Sequence, residues 1–138
     1  MNSLSSILQV LTLVVAGIAA ISLSVAGIGI MNVMLVSVSE RTAEVGLLKA
    51  VGARSAQILA VFLTEAILLA SLGGLLGLLL GWLGIQLLVW LYPAFPASTP
   101  AWAAAAAIVT SVVVGVLFGV LPARRAMRLD PVTALAGR

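Results

Sequence analysis

The chain has 138 residues, of which 63% are hydrophobic and 8% charged, and its mean hydropathy is +1.30. A water-soluble globular domain carries about 25% charged residues, so this composition excludes one and points to a membrane protein. Seven Lys and Arg against four Asp and Glu give +3; with neither Cys nor His, the sequence also excludes disulfides, thiol redox chemistry, Cys/His zinc centres and imidazole-dependent catalysis.

Three apolar stretches are long enough to cross roughly 30 Å of hydrocarbon, which takes about 20 helical residues. They span about 7–38, 56–91 and 101–121, and the expected fold class is an all-α polytopic membrane protein with a short cytoplasmic helix. The first two are about 48 and 54 Å long as helices, so they must tilt, kink or project beyond the bilayer. Residues 1–39 carry no charge, and without a basic flank the first stretch is a spanning helix rather than a signal peptide.

The connection 39–55 holds Arg41, Lys49 and Arg54, and the tail 122–138 holds Arg124, Arg125, Arg128 and Arg138. The bias of Lys and Arg toward cytoplasmic loops places both inside. The loop 92–100 has no charge, and its prolines and aromatics suit an external interfacial turn. Three spans then put the N-terminus outside and the C-terminus inside. A Met1 placed outside suggests the C-terminal piece of a longer chain.

Within the first connection, 40–53 reads as a short helix ended by Gly52, with Ser55 as N-cap of the second span. Glu40 and Glu44 share a side with Leu47 and Val51, which is poor sorting for a helix lying on lipid, so contact with a protein surface is expected. In the tail, Asp130-Pro131 has the form of an N-cap followed by Pro at the first helical position.

Gly73, Gly77 and Gly81 recur every four residues, beside a parallel row of Ala66, Ala70 and Gly74. The third span repeats the spacing with Ala103, Ala107, Ser111, Gly115 and Gly119, and such rows mark faces where helices pack closely in lipid. Glu65 is the one ionisable residue well inside an apolar stretch and must be neutral, paired or close to the inner interface. Three roles stay open for it: local pairing, a polar contact between helices or subunits, and a proton relay. Asn32 is read as an interhelical hydrogen-bonding residue.

No catalytic, metal or cofactor site is legible. The single lysine, Lys49, follows Gly46-Leu47-Leu48, so there is no Gly-x-x-x-x-Gly-Lys-Ser/Thr phosphate loop. ATP and Mg, if used, belong to a partner, and the few basic residues give no nucleic-acid footprint.

The segment Ser37-Val38-Ser39-Glu40-Arg41-Thr42-Ala43-Glu44-Val45-Gly46-Leu47-Leu48-Lys49-Ala50-Val51-Gly52-Ala53 resembles the cytoplasmic signature of the FtsX-like permease family, especially MacB-type ABC transporters. Three further patterns are similar in order along the chain: Gly27 to Leu35, Phe62-Leu63-Thr64-Glu65-Ala66 followed by Gly73-Gly74, and Pro122-Ala123 through Asp130-Pro131-Val132-Thr133-Ala134-Leu135. The resemblance implies an inner-membrane permease, homodimeric or pseudo-dimeric, with four spans per subunit and a large extracytoplasmic domain between the first two. That first span and domain are not in this sequence. It further implies a partner ABC ATPase, seated on a coupling helix that holds Glu40, Arg41, Glu44, Gly46, Lys49 and Gly52, and in some members a periplasmic partner. The implied function is ATP-driven export or mechanical work across the membrane. Two alternatives from other classes are a structural membrane module assembling through its Gly/Ala rows, and half of an ion-coupled transporter using Glu65.

Overall fold

The computed structural model describes residues 2–94 and 97–136, so the expected external turn at 92–100 is described only on either side of residues 95 and 96. Five helices follow one another: α1 (Asn2–Glu40), α2 (Thr42–Ala50), α3 (Ser55–Leu91), α4 (Ala101–Met127) and α5 (Pro131–Leu135). Among the described residues there is no strand. The protein is all-α, and α1, α3 and α4 are each long and apolar enough to span a bilayer. Hydroxyls in these apolar helices are satisfied locally: those of Thr12, Ser24, Thr64, Ser71, Thr110 and Ser111 each donate to the carbonyl four residues earlier.

α4 lies between the other two long helices, packing extensively on α3 and over part of its length on α1, while α1 and α3 touch little. The α3–α4 seam is made of small residues. A Cβ added to Gly115 would lie 2.5 Å from the Ala70 Cβ and 3.1 Å from the Ala66 carbonyl oxygen; one added to Gly119 would lie 2.5 Å from the Ala66 Cβ. Gly74 closes the same seam against Ser111. Lipid tails are as apolar as leucine, so close backbone approach, not leucine burial, joins the pair. At Gly27, the ring of Phe118 occupies the place of a side chain and joins α1 to α4.

The other glycine row behaves differently. Nothing stands within 4 Å of the Cβ position of Gly73, Gly77 or Gly81. Within this chain, Ala66, Ala70 and Gly74 pack against Ser111, Gly115 and Gly119. The row from Gly73 to Gly81 instead lines an open cleft of about 720 Å³ between α1 and α3, floored by Ser111 and Val114 of α4.

The compact core lies at the end of the bundle that carries α2. Met34 and Val38 of α1, Val45 of α2, Ile58, Phe62 and Ala66 of α3, and Ala123 and Ala126 of α4 form one buried cluster. Here α4 runs on to Met127, six residues beyond the expected end of the third span at 121, with Pro122 inside the helix and fully buried. Proline removes one backbone hydrogen bond from a helix, but its ring adds apolar bulk to this core. Residues 3–22 of α1 are exposed throughout.

Replacing Gly115 by Val is expected to lower the stability of the detergent-solubilised chain by about 1–3 kcal/mol through overpacking. Gly77→Val, with open space at its Cβ position, should leave the monomer's melting temperature unchanged, and equal losses in both would contradict the seam.

Candidate functional site

The connection between α1 and α3 is built so that α2 has a held face and a free one. Arg41 breaks the helix after Glu40, and α2 ends in a glycine-dependent turn. Gly52 has φ +102, its N–H donates to the Lys49 carbonyl at 3.0 Å, and the Ala53 N–H donates to the Leu48 carbonyl at 2.9 Å. This is the Schellman pattern, which favours Gly at that position. The next helix starts one residue earlier than expected. Arg54 is the N-cap and Ser55 is the first helical residue, because the Gln57 side chain accepts from the Arg54 N–H at 2.9 Å, whereas the expectation had Ser55 as the cap.

On the held face, Val45 and Gly46 are buried, and Thr42 and Lys49 are half-buried. At helical spacing these four residues share one side. Gly46 meets α5: a Cβ there would lie 2.7 Å from the Ala134 Cβ. Lys49 Nζ donates to the Met127 carbonyl at 2.5 Å and the Leu129 carbonyl at 2.6 Å, closing the end of α4. A cation at a helix C-terminus is favoured by the partial negative charge of the unpaired carbonyls. α5 is held as the sequence suggested, with Asp130 Oδ1 accepting from the Val132 N–H at 3.1 Å and Pro131 at the first position.

The opposite side of α2 carries Glu44, Leu47, Leu48 and Val51, all exposed. Beside it, between α2 and the start of α3, lies a pocket of about 260 Å³ lined by Leu48, Ala53, Gln57, Ile58 and Val61 among others, with Arg41 and Glu44 in its wall.

Arg41 joins this surface to the spans. Its Nε donates to Glu44 Oε2 at 3.0 Å, one terminal nitrogen lies 3.7 Å from Glu65 Oε2, and the guanidinium stands 5.9 Å from the Phe62 ring centroid. Glu65 thus stands at ion-pair distance from Arg41 across the helix junction, and it lines a shallow cleft with Asn32 and Glu40. In water an exposed ion pair contributes about 0–1 kcal/mol, but beside hydrocarbon an unpaired carboxylate would cost on the order of 2.5–3.5 kcal/mol.

The six residues grouped on the coupling segment thus separate. Glu40 and Glu44 are exposed, Arg41 bridges to α3, Gly52 makes the turn, and Gly46 and Lys49 are engaged within the chain, a placement the linear signature did not distinguish. Leu47 and Val51 share the exposed side with Glu44 as the sequence suggested; Leu48 is the addition, and its i+4 spacing from Glu44 was the available signal.

The family profile described as FtsX-like permease C-terminal matches residues 16–131. The chain belongs to the FtsX-like permease family. Among its relatives is the macrolide export ATP-binding/permease protein MacB of Bradyrhizobium diazoefficiens, 50% identical over 135 residues, covering 98% of this chain and 21% of the relative. The protein of the same name from Wolinella succinogenes is 52% identical over 128 residues, covering 91% of this chain and 19% of the relative. That of Azoarcus sp. is 45% identical over 135 residues, covering 98% and 20%. The chain spans about a fifth of the length of the curated relatives it matches, and corresponds to the C-terminal membrane part of a MacB-type ABC permease.

Because the contact with Arg41 is a partly exposed ion pair at 3.7 Å, Glu65→Gln should keep the solubilised chain within about 1 kcal/mol of the parent in thermal unfolding. Glu65→Lys, which sets two cations together, should destabilise it clearly. A loss with Gln as large as with Lys would mean that the carboxylate's charge is indispensable at this contact.

Proposed function

We propose that this membrane segment couples a partner ABC ATPase to export or to mechanical work on the far side of the bilayer, with the exposed face of α2 as the docking surface. The observation that carries the reading is the division of α2. One side is fixed to α4, α5 and the core, and the other presents Glu44, Leu47, Leu48 and Val51 outside the spanning helices. Apolar residues with one charge, next to an open pocket, suit contact with a protein. The ATP-binding and permease functions named together in the relatives supply the chemistry of the partner. ATP and Mg would bind there, and this segment would hydrolyse nothing.

The same reading places the protein in the cytoplasmic membrane, with α2 and the arginine-rich end of α4 inside. The open row Gly73-Gly77-Gly81 supports assembly as a homodimer or pseudo-dimer, since small residues suit close helix approach. Macrolide export, named in the relatives, is the cargo class this proposal carries over, and a periplasmic partner receiving the work is what the family resemblance implies.

Two measurements test this. In intact cells, a cysteine introduced at Ser98 of this cysteine-free sequence should react with an impermeant maleimide, and cysteines at Ala43 and Ala136 should not; the reverse pattern would put α2 on the wrong side for an ATPase. In the complex with the ATPase, Leu47→Asp combined with Val51→Asp should leave membrane insertion intact and weaken ATPase association by about tenfold or more, because charge enters the apolar contact. Glu44→Lys should act in the same direction. Unchanged association and transport in both variants would leave a structural module as the better account.

A further inference from the structure

The tie between Lys49 and the end of α4 bears on where motion of α2 goes, and this inference rests on the coupling reading above. By chain connectivity alone, α2 is joined to α1 through Arg41 and to α3 through residues 51–54. α4 is joined to it by no short segment. Yet the Lys49 ammonium, in the last turn of α2, holds the carbonyls of Met127 and Leu129, on either side of the point where α4 stops. Three residues earlier, on the same side of α2, Gly46 lets the backbone approach Ala134 of α5, which follows directly from that corner. A long cationic side chain reaching two carbonyls is a strong point contact, since hydrogen bonds to charged groups are about twice as strong as neutral ones. It also occupies Lys49, which leaves the ammonium turned away from the exposed face of α2.

We infer that Lys49 is a positioning residue that locks α2 to the α4–α5 corner, so that displacement of α2 by the ATPase is delivered to α4, and through the small-residue seam to α3, as well as along α1. Lys49 on this account transmits the stroke and does not touch the ATPase.

The test uses the protein assembled with its ATPase. Lys49→Met, which keeps an unbranched apolar stem but neither of the two charge-assisted hydrogen bonds, should leave ATPase association within about twofold and lower transport per ATP hydrolysed by about tenfold or more. Lys49→Arg should retain most of the coupling, because a guanidinium also donates to two carbonyls. The pair Lys49→Cys with Leu129→Cys should be uncoupled when free, recover when joined by a short bis-thiosulfonate linker, and lose coupling again on reduction.

If Lys49→Met loses ATPase binding, Lys49 is a contact residue and the inference fails. It fails equally if Lys49→Met couples like the parent, or if the linked pair stays uncoupled; the linked pair decides the matter should Lys49→Met not insert. Absence of ATPase binding by the parent itself would instead remove the coupling reading on which the inference stands.

Discussion

Hydrocarbon gives a helix no reason to hide leucine, so what joins α3 to α4 is the absence of side chains along one line of contact. Ala66, Ala70 and Gly74 face Ser111, Gly115 and Gly119 closely enough that a single added methyl at Gly115 or Gly119 would collide with the opposite helix. Everything else is arranged around this pair. α1 joins it through the ring of Phe118 against Gly27, and the small α2 and α5 helices cover the end at which the seam opens into a larger core.

That core changes the character of the molecule along its length. The far half of α1 is bare, and the cleft beside Gly73, Gly77 and Gly81 is open, so the spans present lipid-facing or partner-facing surface over most of their extent. At the α2 end, by contrast, four helices contribute buried residues, and polar ties are added: Arg41 to Glu44 and Glu65, Lys49 to the end of α4, and Asp130 to the start of α5. On the coupling reading proposed above, the tied end is where force would enter, and the less packed helix surfaces lie beyond it. Leu47, Leu48 and Val51 are exposed on the side of α2 and its C-terminal turn opposite the buried Val45 and Gly46.

Much of this could be read from the residues. Apolar length marked the three spans, Gly52 marked the stop of α2, and Asp130-Pro131 marked the start of α5. The third span ran past its expected end because hydropathy reports the surrounding solvent, whereas backbone hydrogen bonding continues through Pro122 and the arginines to Met127. Four-residue spacing revealed two small-residue rows in the second span, but spacing carries no information about which row meets α4. Lys49 was legible as a charge and not as a tie, since its partners are backbone carbonyls 78 and 80 residues away. The signature segment mixes residues that hold α2 in place with residues that face outward, and only the wheel of the folded helix sorts them.

On the coupling account, α2 and the end of α4 at Met127 move as one body. Spin labels at Ala43 on α2 and Arg125 on α4, both exposed, allow the distance between the two helices to be measured by double electron–electron resonance in the complex with the ATPase. The account predicts a single narrow distance distribution that is the same without nucleotide and with ATP trapped. A distribution that shifts or splits on ATP binding would show α2 moving against α4, and would contradict it.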